Sequence, residues 1–476
     1  MSQKNTLNSN RSGKFFKDVG LYAIGNIGSK LITFLMVPLY TYFVNTSEYG
    51  LYDICLTLIF FAIPFMTLQL RDGAFRFLVD DESEDNKKAV VTFAYRVMIT
   101  TSLLVVFAAL VVSAFTAVSY LWLMVLLLIV MSFYEVVVQI TRGLGNTLSF
   151  VASGIISSLG IGAFSVLFVV YLKMGLEGIF LANILARFFA LLFIELKDKI
   201  IKRYFVRKPD YGNIRRDMVK YSLPLIPGLV LWWIIGSTDR LFIEHYLGLS
   251  VNGMYAVAYR LVSILQVVST IFYQAWQETA LRQYESSDRD EFFSKMFNNY
   301  FYAFSGMLII FVFVLKINYG WLVGGEFFNS VIYLYPMAVS VLLFALVAFM
   351  DMGYQCAKDT KRTLPAVICA AVVNICSNYI LIKYIGLWGV VLTGILTYLV
   401  LLLCRIHDMK RYFKLSIYKR SLLPFVMLLI GFYWYYNVTY LWLDMIFVLS
   451  SLIIFISFIP NEIKNVLLSK LKRKVD

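Results

Sequence analysis

Residues 175–185 read GLEGIFLANIL, and residues 386–396 repeat the pattern as GLWGVVLTGIL. Each copy places two glycines three residues apart at the start of a long apolar run. A second, weaker repeat pairs residues 39–52 (LYTYFVNTSEYGLY) with residues 242–255 (FIEHYLGLSVNGMY), at nearly the same offset. The two matches predict that the chain is an internal duplication of one helical bundle.

The composition around these repeats excludes a water-soluble fold. Of the 476 residues, 60% are hydrophobic and 15% are charged, whereas ordinary globular chains contain about 45–50% and about 25%. A soluble chain cannot bury so much apolar side chain, because its surface grows almost as fast as its volume. We therefore expect an all-α integral membrane protein.

Runs of about 20 apolar residues, which cross a bilayer core of about 30 Å, divide the chain into fourteen predicted helices. Residues 1–196 form an N-terminal lobe of six helices, residues 197–219 a cytoplasmic linker, and residues 220–410 a C-terminal lobe of six. Residues 411–476 hold an extra helix pair and a basic cytoplasmic tail, and twelve helices is the alternative. An even number of spans per repeat makes the copies parallel. The predicted spans are 19–44, 49–70, 89–113, 118–141, 148–172, 176–196, 220–247, 251–281, 295–316, 330–355, 364–384, 387–405, 420–437 and 440–459.

The basic residues test this division independently. The chain has 43 Lys and Arg against 29 Asp and Glu, a net charge of +14. With the N-terminus in the cytoplasm, 35 of the 43 fall on cytoplasmic segments, 3 on external segments and 5 inside spans. This asymmetry follows the positive-inside rule, so both termini are predicted to be cytoplasmic. The net charge is then mostly topological, and evidence for an anionic ligand rests on the five residues within spans.

The connections between spans limit the chemistry of the chain. The longest is about 25 residues, around Lys197 to Lys220, which is too short for a soluble catalytic domain. The sequence contains no Walker loop, no dinucleotide-binding glycine motif and no C-x-x-C pair. We predict a transporter rather than an enzyme, without a cofactor or a metal, and coupling to protons or sodium is left open.

Two segments resemble the start of each lobe in bacterial polysaccharide flippases of the Wzx type, which belong to the multidrug, oligosaccharidyl-lipid and polysaccharide exporter superfamily. They are residues 25–52 (GNIGSKLITFLMVPLYTYFVNTSEYGLY) and residues 221–261, with the elements SLPLIP, DR and GMYAVAYR. The resemblance covers residues 15–410.

The resemblance implies a function and a location. It implies a protein of the bacterial cytoplasmic membrane that moves undecaprenyl-diphosphate-linked oligosaccharide from the inner to the outer leaflet by alternating access between two lobes. O-antigen or capsule export is the implied context, with polysaccharide polymerase and chain-length machinery open as protein partners and no nucleic acid. The extra helix pair is implied to hold the lipid tail, as in the lipid II flippase, or only to pack. The sugar, the energy source, the access state and the oligomeric state stay open.

Basic residues within spans are the candidate substrate site, because a charge at the bilayer centre costs about 2.5–3.5 kcal/mol and needs a reason. Lys30 lies near the midplane with Asn26 one turn away, and Arg187 has Asn183 one turn away. A diphosphate is a concentrated negative charge that Lys and Arg bind with both charge and hydrogen bonds.

Four further residues complete this candidate site. Arg260 begins a polar stripe on its helix, for which helix–helix contact is the competing interpretation. Arg96 is about 12 Å from the cytoplasmic end of its span, so it either lines the cavity or extends to the interface. Tyr255 and Tyr259 are candidates for stacking on sugars, although packing and interfacial belts are the usual use of such rings.

Four residues are predicted to have structural or coupling roles. Neighbouring helical residues point about 100° apart, so Arg240 is expected to reach Glu244 at i+4 and Asp239 to face another helix. Glu135 is expected in a network within or between helices rather than in a proton relay.

Two rival functions stay open. A multidrug antiporter of the same superfamily would bind organic cations through carboxylates, here Asp53 or Glu135, whereas the charges deep in the spans are mostly basic. A scaffold that does not transport would leave the buried charges dispensable. The sign of the deep charges favours the flippase.

Overall fold

The computed structural model describes residues 34–457 together with Ile32. Within these residues every regular element is a helix, and eleven helices are long and apolar enough to cross a membrane. They coincide with predicted spans 2 to 12, so the chain is an all-helical, multi-pass membrane protein. The first predicted span lies largely outside the described residues, and the last two correspond to helices of 16 and 17 residues. The total of fourteen therefore stays a prediction.

The chain divides into two compact units, Met1–Gly253 and Met254–Asp476. The first unit extends past the predicted N-terminal lobe, because the helix Ile226–Leu247 packs against the helix Thr46–Met66. The predicted lobe boundaries stay a prediction. The boundary between the two units falls within helix α11 (Leu249–Val262). The helices of the first unit are α1 (Phe34–Phe43), α2 (Thr46–Met66), α3 (Leu70–Asp80), α4 (Glu84–Phe115), α5 (Leu121–Gly143), α6 (Thr147–Ser165) continued by a π-helix (Val166–Tyr171), α7 (Gly175–Asp198), α8 (Ile200–Tyr204), α9 (Ile214–Ser222), a 3₁₀ turn (Leu223–Leu225) and α10 (Ile226–Leu247).

The second unit continues the helical pattern. Its helices are α12 (Ile264–Gln283), α13 (Arg289–Leu322), α14 (Leu334–Cys356), α15 (Thr363–Ile385), α16 (Leu387–Met409), α17 (Leu422–Asn437) and α18 (Leu441–Ser457), with 3₁₀ segments at Gly325–Tyr333, Thr360–Arg362 and Lys419–Ser421. Its last two helices pack on α13, where Tyr302 Oη donates to the Phe455 carbonyl at 2.9 Å and Lys316 pairs with Asp444 at 3.0 Å. The extra pair is therefore an integral part of this unit.

The repeated glycines have the same two roles in both units. Gly175 and Gly386 begin the repeats with φ of +54° and +56°, a left-handed conformation that favours glycine. Three residues on, a Cβ on Gly178 would lie 3.1 Å from the backbone of Phe168, and one on Gly389 would overlap Leu381. The motif therefore encodes a tight turn followed by close packing of two antiparallel helices.

The surfaces of the helices agree with a lipid environment. In the most apolar stretch of α4 only 11% of the residues are buried, and large side chains such as Leu103, Leu104 and Phe107 are each more than half exposed. A continuous exposed apolar surface along a whole helix is rare on soluble monomers. Polar residues are also buried inside the first unit, and the site described next is formed by residues of α1, α2, α5, α6 and α7.

Candidate functional site

Arg187 lies half-way along α7 and is held by its own helix. Its Nη1 atom donates to the side-chain oxygen of Asn183 at 2.9 Å and to the Asn183 carbonyl at 3.1 Å. Asn183 is buried and its amide donates to Tyr52 Oη on α2 at 3.0 Å. The predicted helical neighbour Asn183 therefore fixes the guanidinium and links it to a second helix.

Three tyrosine side chains lie near this arginine. Tyr40, Tyr52 and Tyr134 are close enough to act electrostatically on its charge. Tyr40 Oη shares a hydrogen bond of 2.8 Å with Ser165 Oγ, and the rings of Tyr40 and Tyr52 lie 6.5 Å apart. Hydroxyls donate as well as accept, so the cluster offers donors for phosphate or sugar oxygens and ring faces for packing.

The charge at this site is positive, and none of the described carboxylates pairs with it. Within the described part of the chain, Arg187 forms no ion pair with an N···O distance of 4.0 Å or less. Glu135 does act on it electrostatically, but this carboxylate is bound by Arg71 of α3 at 2.7 Å. A partly buried cation without a protein carboxylate is complementary to an anionic ligand.

The structure describes some of the other predicted binding residues and not others. Lys30 and Asn26 lie outside the described residues. Arg260 lies on α11, where the rings of Tyr255 and Tyr259 stack with centroids 6.2 Å apart. Tyr255 is buried and Tyr259 is partly buried. Their role in binding stays a prediction.

Arg96 is used to hold the linker that follows α7. Its Nη2 atom donates to the carbonyls of Val206 and Arg207, and its guanidinium lies 5.8 Å from the ring centre of Tyr211. These contacts support a structural role for Arg96 and give no support to its predicted place in the substrate site.

Arg240 locks α10 to α2. Its Nε atom lies 2.7 Å from Asp53 Oδ2, and both side chains are more than nine-tenths buried. We expected Arg240 to pair with Glu244. The structure instead pairs it with Asp53, and Glu244 is exposed. Asp239 beside it is buried as well, consistent with locking between helices.

Next to the Arg240–Asp53 pair, the two copies of the weaker sequence repeat contact each other. Residues 46–50 and 249–253 pack backbone to backbone: a Cβ on Gly50 would overlap the Leu249 carbonyl, and one on Gly253 the Thr46 carbonyl. Across the contact, Thr46 and Ser250 share a hydrogen bond of 2.8 Å and the Asn252 amide donates to the Gly50 carbonyl at 2.9 Å. The two repeat-matched glycines thus pack against each other's segment.

Sequence reasoning missed several partners. Tyr52 and Arg71 were not singled out, since nothing local marks a residue that acts across helices. Arg405 counts as a cytoplasmic charge in the sequence, yet its side chain is fully buried and lies 2.8 Å from Asp351 of α14. Arg405 is the last residue of the predicted span 387–405, and this position was the available signal that it could be buried.

Within residues 34–457, no group of three or more His, Cys, Asp or Glu side chains is arranged to hold a metal ion. The charged groups of the site are thus organised as ion pairs and hydrogen-bond networks between helices.

Solved structures with the same fold are membrane transporters. The lipid II flippase MurJ in an inward closed conformation matches with a TM-score of 0.68 and 15% identity, over 94% of this chain and 99% of its own. An inward-facing multidrug resistance MATE family transporter of the MOP superfamily matches with a TM-score of 0.66 and 14% identity, over 82% and 98%. A MOP superfamily transporter from Pyrococcus furiosus, whose binding pocket is described as having reverse polarity, matches with a TM-score of 0.53 and 14% identity, over 83% and 96%. At these identities the likeness shows the fold alone, which this chain shares with these transporters.

The sequence assigns the family. The profile of the polysaccharide biosynthesis protein family matches residues 15–277, more than half of the chain. The chain belongs to this family, as the resemblance of its lobes to polysaccharide flippases predicted. No curated protein matches the chain significantly.

Proposed function

We propose that the protein flips undecaprenyl-diphosphate-linked oligosaccharide repeat units from the inner to the outer leaflet of a bacterial cytoplasmic membrane, by alternating access, for surface polysaccharide export. In this proposal both termini are cytoplasmic, and the polymerase and chain-length machinery are the protein partners that would receive the product. Family membership supports the polysaccharide context.

The Arg187 network carries the proposal. The described hydrogen bonds of the Arg187 guanidinium go to the side-chain oxygen and the carbonyl of Asn183, so this group at span depth keeps donors and a full charge for a ligand phosphate. Bidentate binding of a phosphate by arginine is strong in a low-dielectric interior. The hydroxyls of Tyr40, Tyr52 and Tyr134 would complete the site with donors and acceptors for the first sugar.

The lipid portion needs an apolar surface. A cavity of about 560 Å³ lies between α13 and α18 and is lined by Tyr302, Gly306, Met307, Ile310 and Phe455 among other apolar residues. We propose that this groove holds part of the polyprenyl chain, which gives the extra helix pair a function in addition to its packing.

An export assay in a strain that lacks its own flippase tests the proposal. Arg187→Ala is expected to abolish surface polysaccharide and to leave lipid-linked oligosaccharide in the inner leaflet, because the diphosphate loses its counter-charge. Arg187→Lys is expected to retain part of the export, since it keeps the charge but not the bidentate geometry.

Arg76→Ala is the matched control, because Arg76 is an exposed arginine of the same unit, paired with Asp80. Membrane abundance is measured for every variant. Normal export by Arg187→Ala at normal abundance would remove Arg187 from the substrate site.

A multidrug antiporter is the second candidate, favoured by the shared fold with a MATE family transporter. It requires carboxylates that are open to a cation, but Asp53 is paired with Arg240 and Glu135 with Arg71. Overexpression followed by drug-susceptibility measurements decides between the two. Resistance that disappears in Asp53→Asn or Glu135→Gln would support the antiporter.

A further inference from the structure

The linker between the sixth and seventh predicted spans carries a second cationic site, separate from Arg187. A cavity of about 650 Å³ is lined on one side by Arg215, Arg216 and Lys220 of α9. Its other lining residues are apolar and include Phe93 of α4 with Leu223 and Pro224. Three cations therefore meet an apolar wall in one exposed cavity.

The part of the chain that the structure describes does not neutralise these cations. Among the described residues none of the three forms an ion pair with a carboxylate. Arg215 lies 4.1 Å above the ring centre of Tyr211, a contact that orients a guanidinium without removing its charge. Asp217, on the same helix, takes part in no described ion pair either. The three side chains therefore give the cavity a charge of +3 that can bind an anion.

The site is preformed, because the linker is fixed to α4. Thr92 Oγ1 donates to the Tyr204 carbonyl at 3.1 Å and accepts from the Val206 amide at 3.0 Å, and Arg96 holds Val206 and Arg207 as described above. Met218 and Ser222 of α9 are fully buried against the rest of the first unit. A ligand at this cavity would not have to order the helix.

We infer that this cavity binds the headgroup of an anionic phospholipid of the cytoplasmic leaflet. The phosphate lies among Arg215, Arg216 and Lys220, and an acyl chain lies along Phe93 and Leu223. The orientation rests on the topology in the proposed function. After Ser222, only the 3₁₀ turn Leu223–Leu225 separates α9 from the membrane-spanning α10, which puts α9 at the level of headgroups.

The lining favours a phospholipid over the glycan substrate. A glycan is recognised through hydroxyl and amide groups that both donate and accept hydrogen bonds, as in the Arg187 network. The lining residues of this cavity are cations and apolar side chains, which match a phosphate and a hydrocarbon chain. We therefore assign the two cationic sites to different ligands.

Lipid titration of the purified full-length protein in detergent, followed by native mass spectrometry, tests the assignment. Phosphatidylglycerol and phosphatidylcholine are the probes, and the triple variant Arg215→Gln/Arg216→Gln/Lys220→Gln removes the site. Each cation near an anionic membrane surface contributes about fivefold in affinity, so the triple variant is expected to bind phosphatidylglycerol about 100-fold more weakly. The matched control is Lys202→Gln/Arg203→Gln/Lys208→Gln, which removes the same charge from exposed positions of the same linker and is expected to change affinity by less than about fivefold.

Three outcomes overturn the inference. Equal losses in the two triple variants would mean a diffuse charge effect instead of a site. Displacement of phosphatidylglycerol by millimolar inorganic phosphate would identify a free-anion site, and displacement by equimolar undecaprenyl phosphate a docking site for the substrate. Because binding is measured without transport, these outcomes are independent of whether the protein is a flippase.

Discussion

Arg187 and Arg240 are both arginines within membrane-spanning helices of the first unit, but their surroundings differ in one respect. Arg240 has a buried carboxylate, Asp53, at 2.7 Å, whereas the described hydrogen bonds of Arg187 go to an amide side chain and a carbonyl. Arg240 joins two helices, whereas Arg187 is the residue for which we propose a ligand. Depth in the membrane alone therefore does not separate the two arginines; the charge of the partner does.

The second unit follows the same rule. Lys316 joins α13 to α18 through Asp444, whose side chain is fully buried, and Arg405 joins α16 to α14 through Asp351. In each case a cation and an acid from different helices form an ion pair. Buried pairs of this kind fix which helices are neighbours, and removal of one partner leaves a costly isolated charge.

The largest effect is expected when the Arg240 lock is opened. Arg240→Gln leaves the Asp53 carboxylate buried without its counter-charge, which costs about 3–5 kcal/mol. Thermal unfolding of the purified protein in detergent, followed by fluorescence, is expected to show a clearly lowered Tm.

The double variant Asp53→Asn/Arg240→Gln supplies the control for this prediction. It is expected to recover most of the lost stability, because the uncompensated charge is gone. If the single variant unfolds at the wild-type temperature, Asp53 and Arg240 do not lock α2 to α10.

A smaller effect is expected at the glycine contact beside this lock. Gly253→Ala places a methyl group against the Thr46 carbonyl, so the two segments must separate, at about 1–3 kcal/mol. Gly236→Ala on α10 is the control, since a Cβ there meets nothing within 4 Å and alanine favours a helix. A lowered Tm for Gly253→Ala with an unchanged or raised Tm for Gly236→Ala would confirm the close contact. Equal values would contradict it.

The sequence alone predicted what depends on local patterns. Hydrophobic runs located eleven helices, and helical spacing placed Asn183 beside Arg187, because both signals come from residues within one or two turns. The partners of Arg240 and Glu135 were not predictable in this way. Asp53 is 187 positions from Arg240, and only the packing of α2 on α10 brings them together.

Local helical spacing also misled in one place. Glu244 lies one turn from Arg240 and was the expected partner, but its side chain is exposed, and the described ion pair of Arg240 is with Asp53. The buried Asp53 gains more from the pairing, because a carboxylate away from water needs a counter-charge.

The smallest effect on stability is expected at Arg187. Its substitution directly tests whether Arg187 and Arg240 have different roles. Arg187→Gln keeps an amide that can bond to Asn183 and leaves no carboxylate unpaired, so the free energy of unfolding is expected to change by less than about 1 kcal/mol. The same substitution at Arg240 is expected to cost several times more, although both remove one positive charge from a spanning helix. Measured side by side, a stable Arg187→Gln protein that no longer exports polysaccharide would separate binding from folding. A loss of Tm as large as that of Arg240→Gln would instead make Arg187 a structural residue, and the anionic site would have to lie elsewhere in the chain.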